Sequence, residues 1–150
     1  MIRIPTAPLL LGLSGLIPFL WGAVTHLSPP LGDWSTGLLG ARFTGAIALQ
    51  GYGIVILAFM SGVIWGFATR ATGRMAMAGY AASVLPALWA FAMGTGPVQS
   101  ALTALAIGFA ALLALDWGFW KQGLAPRWWL PLRAVLTAIV VPCLLVGAHA

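Results

Sequence analysis

The stretch TGAIALQGYGIVILAFMSGVIWGFA, residues 44 to 68, decides the fold of this chain. It carries no charged residue, and Arg42 and Arg70 lie just outside its two ends. An α-helix rises about 1.5 Å per residue, so this stretch covers about 37 Å and can cross the roughly 30 Å hydrocarbon core of a bilayer. The stretch therefore predicts a transmembrane helix.

Four further apolar stretches have the length that a membrane crossing requires. The five predicted spans are Ala7 to Leu27, Thr44 to Ala68, Met75 to Met93, Val98 to Trp117 and Trp128 to Ala148. Segments rich in Gly and Pro separate them, such as Gly94-Thr95-Gly96-Pro97. The sequence thus predicts an all-α, polytopic membrane protein, with residues 1–150 forming one domain of five transmembrane helices.

The composition excludes a water-soluble protein of this size. Hydrophobic residues make up 61% of the chain and charged residues 6%, whereas a soluble domain has roughly a quarter of its residues charged. The net charge of +5 does not indicate nucleic acid as a partner, because the basic residues flank separate apolar stretches and do not form one patch. The predicted surroundings are membrane lipids.

The distribution of basic residues predicts the direction of insertion. With five crossings, one side of the membrane receives six basic residues and the other receives Arg42 alone. The six are Arg3, Arg70, Arg74, Lys121, Arg127 and Arg133. Cytoplasmic segments of membrane proteins are enriched in Lys and Arg, so we expect a cytoplasmic N-terminus and a periplasmic C-terminus, in a bacterial inner membrane.

Small residues at a spacing of four predict where helices pack closely. Ala58, Gly62 and Gly66 form such a stripe in the second span, and Ala104 and Gly108 form a shorter one in the fourth. Small side chains let helix backbones approach each other in lipid. We expect these residues to pack inside the bundle, the alternative being a dedicated dimer face.

Three prolines lie inside the predicted spans, at Pro18, Pro86 and Pro142. Each removes a backbone donor and crowds a carbonyl one turn earlier, so we expect a kink at each position. Kinks are also common in membrane bundles that transport nothing, so these prolines alone do not predict a substrate pathway.

Asp116 and Arg133 are the clearest ionisable pair within the spans. They are equidistant from the centre of the turn between the fourth and fifth helices, which places them at matching depth on antiparallel neighbours. We expect a structural ion pair that joins the two helices. A catalytic or proton-carrying role for the pair is the alternative.

His26, Gln50 and Tyr52 form the other candidate site, because all three fall near the outer ends of the first two spans. They would make a small polar site, although a histidine at a helix end is also commonly just an interfacial residue. The chain has no glutamate and one cysteine, Cys143. No nucleotide loop, nucleophile elbow or zinc-binding helix motif is present, so we expect no catalytic residues and no metal site.

Several short motifs resemble a known family. They are Gly15-Leu16-Ile17-Pro18-Phe19, residues 52–59 with Gly62 and Trp65-Gly66, Ser83-Val84-Leu85-Pro86, Leu115-Asp116, residues 126–129 and Leu132-Arg133. In this order they resemble an uncharacterised bacterial family of five-helix inner-membrane proteins that is related to a eukaryotic mitochondrial transmembrane protein. The resemblance implies an inner-membrane location and a link to energy metabolism. It implies no particular activity, because the family has none assigned.

These observations favour a non-catalytic accessory or assembly subunit of a larger energy-transducing complex, respiratory or photosynthetic. Such a protein would contact lipids and other integral membrane subunits and need no intrinsic cofactor, although quinone contacts are compatible with it. The alternative is a small carrier or channel for an apolar or weakly polar molecule such as quinone, using His26, Gln50 and Tyr52. An enzyme is disfavoured because few polar residues are available for a catalytic site.

Overall fold

A computed structural model describes residues 3–149, and within that range the regular structure is entirely helical. The helices are α1 (Thr6–Ser14), α2 (Ile17–Leu27), α3 (Pro29–Leu39), a 3-10 turn (Ala41–Phe43), α4 (Gly45–Ala68), α5 (Gly73–Gly94), α6 (Val98–Lys121) and α7 (Trp129–His149).

Five helical segments are long and apolar enough to cross a membrane. They are Thr6–Leu27, which combines α1 and α2, and then α4, α5, α6 and α7. The predicted five-helix architecture is confirmed, and the chain is a multi-pass membrane protein. α6 continues one turn beyond the predicted end at Trp117, to Lys121.

The first span is two helices and not one kinked helix. α1 ends at Ser14, Gly15 and Leu16 form a turn, and Pro18 stands in the first turn of α2. A proline in the first turn of a helix removes no hydrogen bond that the helix would otherwise make. In place of the kink expected at Pro18, the helix breaks three residues earlier, at Gly15. Pro86 and Pro142, by contrast, lie inside continuous helices.

The segment between the first two spans is folded, although the sequence suggested only a break there. Pro29 and Pro30 begin α3, and Gly40 ends it with a φ of +88°, a value that favours glycine. The hydroxyls of Ser35 and Thr44 share a 2.8 Å hydrogen bond, which holds α3 against the start of α4. α3 packs against α2 and the 3-10 turn.

α4 is the centre of the bundle, because it packs against α2, α5, α6 and α7. α7 also packs against α6 and α2, which closes the arrangement. Large apolar side chains fill the interior, and the fully buried ones include Phe19, Leu49, Leu57, Ile64, Leu102, Leu105, Phe109, Leu112 and Leu144. Many other large apolar side chains face outward on the spanning helices, where they contact lipid.

Candidate functional site

Asp116 and Arg133 meet as an ion pair between α6 and α7. The Arg133 Nε donates to Asp116 Oδ2 at 2.8 Å, and both side chains are almost completely buried. The Trp129 indole donates to the other carboxylate oxygen, Oδ1, at 2.7 Å. Trp129 and Arg133 are four residues apart, so one face of α7 presents two donors to a single carboxylate. The contact between Asp116 and Arg133 was predicted from the sequence, whereas the hydrogen bond from Trp129 was not.

Two polar atoms beside this ion pair have no hydrogen-bond partner among residues 3–149. They are the Arg133 Nη2 and the Thr137 Oγ1, both buried. Thr137 follows Arg133 by one helical turn, so the two atoms lie on the same face of α7. The pair thus neutralises the arginine's charge but leaves part of its donor capacity unsatisfied.

Of the predicted polar cluster of His26, Gln50 and Tyr52, the structure does not bring Gln50 and Tyr52 together, because each binds the backbone of a different segment. The Gln50 Nε2 donates to the carbonyls of Gly94 and Gly96, at 2.7 and 3.0 Å, and thereby caps the end of α5. The Tyr52 hydroxyl donates to the Gly15 carbonyl at 3.1 Å. Because Gln50 and Tyr52 are only two residues apart on α4, they point to different neighbours.

His26 lies at the end of α2, close to the backbone of Gly45. Gly15, which binds Tyr52, is eleven residues earlier in the chain, a separation of about 16 Å along a helix. The Tyr52 hydroxyl and His26 therefore lie at different depths along the first span. Among residues 3–149 there is also no group of three His, Cys, Asp or Glu side chains that could hold a metal ion.

The small residues of α6 pack inside the bundle as predicted. Gly108 faces Leu57 and Trp89 so closely that an added Cβ would lie 2.7 Å from Leu57 Cδ2 and 2.8 Å from Trp89 Cδ1. The Trp89 indole donates to the Ala104 carbonyl at 2.7 Å. Ala104 and Gly108 therefore provide the surface on which Trp89 of α5 rests.

The small-residue stripe of α4 faces away from the bundle, which corrects the prediction for Ala58, Gly62 and Gly66. All three residues are exposed. A Cβ added at Gly62 or at Gly66 would meet no atom within 4 Å. α4 instead directs its large residues inward, where they contact four other helices, so its small residues are left on the outer face.

Ser61 joins α4 to α5, a role that its position in the sequence did not predict. Its hydroxyl donates to the Ser83 carbonyl of α5 and accepts from the Ala87 N–H at 3.3 Å. A regular helical turn would join that carbonyl and that N–H directly. They lie on either side of Pro86, so the Ser61 hydroxyl satisfies backbone groups next to the proline. The sequence offered one signal for this contact, a serine in one predicted span and a proline inside the next span, whose backbone groups need partners in lipid.

A groove with a volume of about 880 Å³ lies between α2 and α4 on the outside of the bundle. We call it the α2–α4 groove, and its lining includes Ile17, Trp21, Arg42, Phe43, Gly51 and Val55. Arg42 lies at the end where α4 begins and stacks on the Phe43 ring, 4.9 Å from its centroid. The groove is thus apolar along its length and cationic at one end.

Comparison with known proteins gives a relative in the frog Xenopus tropicalis, called Transmembrane protein 69. The two sequences are 32% identical over 141 residues, covering 91% of this chain and 51% of the relative. The chain thus spans about half the length of that curated relative. No solved structure matches the chain. A family model described as "Protein of unknown function (DUF3429)" matches residues 4–149, so the chain belongs to the DUF3429 family.

Proposed function

We propose that this protein is a non-catalytic subunit of a larger membrane complex, and that another transmembrane helix docks on the outer face of α4. The observation that carries this proposal is the exposure of Ala58, Gly62 and Gly66 on that face. In lipid, helices associate mainly by close packing, and small residues at a spacing of four allow the closest approach. The bundle itself leaves this surface unused.

The polar side chains within the spans support the same role. Gln50, Tyr52 and Ser61 each bind the backbone of another helix or of its adjoining turn. Asp116 binds two side chains of α7. These groups join the spans into one scaffold, and they do not converge on a common cavity. Such an arrangement suits a rigid subunit that packs against other membrane subunits.

The proposed identity of the complex rests on the family resemblance of the sequence motifs. A resemblance to a bacterial inner-membrane family with a mitochondrial relative favours an energy-transducing complex, respiratory or photosynthetic, in a bacterial inner membrane. The six basic residues on one side favour a cytoplasmic N-terminus. A carrier for a quinone-like molecule has less support, because it required His26, Gln50 and Tyr52 to form a joint site, and Gln50 and Tyr52 bind separate partners.

The test is purification of the tagged protein in mild detergent from its own membranes, with size and composition measured by native mass spectrometry. We expect a stoichiometric complex with other membrane subunits. Gly62→Leu places a bulky side chain on the α4 face and should release those subunits, because close approach there becomes impossible. The bundle should remain folded, since a Cβ added at Gly62 meets no atom within 4 Å and the site faces outward.

Gly118→Leu is the matched control. Gly118 lies in the spanning helix α6, and an added Cβ there also meets no atom within 4 Å. This variant should keep the complex intact. If the unaltered protein runs alone, or if Gly62→Leu and Gly118→Leu behave alike, the proposal is wrong. A complex without any redox or pigment-binding subunit would refute only its energy-transducing identity.

A further inference from the structure

We propose that the α2–α4 groove binds one acyl chain of an anionic phospholipid, whose phosphate pairs with Arg42. This inference does not rest on the proposed subunit role, because the groove occupies the first half of α4, up to Val55, and the docking face occupies the second half, from Ala58 onward. The groove opens on the lipid-facing side of a membrane-spanning bundle, and its volume of about 880 Å³ lies within the range of about 300–1,000 Å³ that is usual for small-molecule sites.

The dimensions of the groove suit an acyl chain. It follows α4 from Arg42 and Phe43, just before the helix begins, to Val55. The part along α4, from Gly45 to Val55, has an axial length of about 15 Å, about half the thickness of the hydrocarbon core. An acyl chain of one leaflet covers the same depth. The groove therefore matches one leaflet, with Arg42 at the headgroup end.

Apart from Arg42 at the open end, the hydrogen-bonding side chains of the lining are already engaged within the protein. The Trp21 indole donates to the Phe43 carbonyl at 2.9 Å, and the Tyr52 hydroxyl donates to the Gly15 carbonyl. The rest of the wall is aliphatic or aromatic, including Ile17 and Val55. A ligand with polar groups deep in the groove would find few partners there, whereas a hydrocarbon chain needs none.

The charge at the open end selects an anionic headgroup. The Arg42 side chain is exposed and stacks on the Phe43 ring, and within residues 3–149 no carboxylate forms an ion pair with it. All the other basic residues lie towards the opposite ends of the spanning helices. Stacking keeps the guanidinium beside the groove while its N–H groups remain able to bind phosphate oxygens.

The test measures lipid binding by native mass spectrometry of the detergent-purified protein, titrated with palmitoyl-oleoyl phosphatidylglycerol or with phosphatidylcholine of the same chains. We expect one tightly bound lipid and a preference for phosphatidylglycerol of about fivefold, the contribution of one basic residue near anionic lipid. Arg42→Gln should abolish the preference but keep chain binding. Arg74→Gln, at the opposite membrane face, should leave it unchanged.

A second variant tests the groove itself. A Cβ at Gly51 meets no atom within 4 Å, so Gly51→Leu fills the groove without disturbing the bundle and should abolish binding of both lipids. Gly62→Leu and Gly118→Leu are the controls and should bind lipid normally. Unchanged headgroup preference in Arg42→Gln, or unchanged lipid binding in Gly51→Leu, would overturn the inference. So would occupation of the groove by a protein partner in the purified complex.

Discussion

Asp116 accepts hydrogen bonds from two side chains of α7, the Trp129 indole and the Arg133 guanidinium. A buried ion pair has to offset the cost of removing two charges from a polar environment, and it does so only with good geometry. Here the carboxylate has two close donors. The arginine keeps one unpartnered nitrogen, so the balance depends strongly on the charge of Asp116.

We predict that Asp116→Asn destabilises the protein by about 3 kcal/mol, because it leaves Arg133 as an uncompensated buried charge. The measurement is the melting temperature and folded yield in detergent. Asp33→Asn is the control, since Asp33 is exposed and should tolerate the change. Thr137→Val should also be neutral, because the Thr137 hydroxyl has no partner to lose. An Asp116→Asn protein that melts like the unaltered one would contradict a structural role for the pair.

At the scale of the helices, α4 and α5 are joined by a hydroxyl beside a proline. Ser61 binds the Ser83 carbonyl and the Ala87 N–H, one on each side of Pro86. Pro86 cannot donate to the Ala82 carbonyl and its ring crowds that turn, so a hydroxyl that bonds the neighbouring Ser83 and Ala87 groups supports the helix where lipid offers no hydrogen bonds. The serine and the proline are therefore expected to act as a unit.

We predict that Ser61→Ala destabilises the α4–α5 contact by about 1–2 kcal/mol, the usual cost of a lost buried hydrogen bond. In a Pro86→Ala background the cost should be smaller, since a regular helix can pair its own backbone groups. Thermal unfolding of both single variants and of the double variant gives the coupling. Equal costs in the two backgrounds would mean that Ser61 acts independently of the proline.

The two small-residue stripes of α4 and α6 are similar in sequence but differ in surroundings. We predict that Gly108→Ala lowers stability by about 1–2 kcal/mol, because its Cβ overlaps Leu57 and the hydrogen-bonded Trp89. Gly62→Ala should be neutral or raise stability by up to about 1 kcal/mol, since alanine is the better helix former and the site is open.

Melting temperatures of the isolated protein in detergent compare these two alanine variants directly. They carry the same chemical change on two spanning helices, so each controls for the other. If Gly62→Ala destabilised the isolated protein as much as Gly108→Ala does, the outer face of α4 would have to be packed within the chain.

At the scale of the whole molecule, the arrangement of the loops agrees with five crossings. The Arg70 guanidinium donates to the Leu124 carbonyl at 2.9 Å, so the turn after α4 and the turn after α6 lie at the same end of the bundle. The basic residues near those turns therefore share one membrane face. That this face lies in the cytoplasm is a prediction from the number of basic residues on it.

We predict a cytoplasmic location for the α6–α7 turn and a periplasmic location for the α5–α6 turn. Alkaline phosphatase fused after Gly96 or after His149 should be active, because the enzyme needs an oxidising compartment for its disulfides. A fluorescent protein fused after Gly123 should fluoresce, and phosphatase fused there should be inactive. The reverse pattern would show the opposite insertion.

The sequence by itself determined the number of spans, because uninterrupted apolar length is the physical requirement for crossing a bilayer and is read directly from residue order. It also predicted the contact between Asp116 and Arg133, since two antiparallel helices joined by a short turn bring equidistant residues to the same depth. These are local or nearly local properties of the chain.

Only the tertiary structure decided which faces of the helices meet. The stripes at Gly62 and Gly108 look alike in sequence, yet one faces outward and the other carries Trp89. All-round apolar helices give no amphipathic signal for the inward face, so helix rotation depends on the packing of every neighbour at once. The same applies to Gln50, Tyr52 and Ser61, whose partners on other helices were set by that rotation.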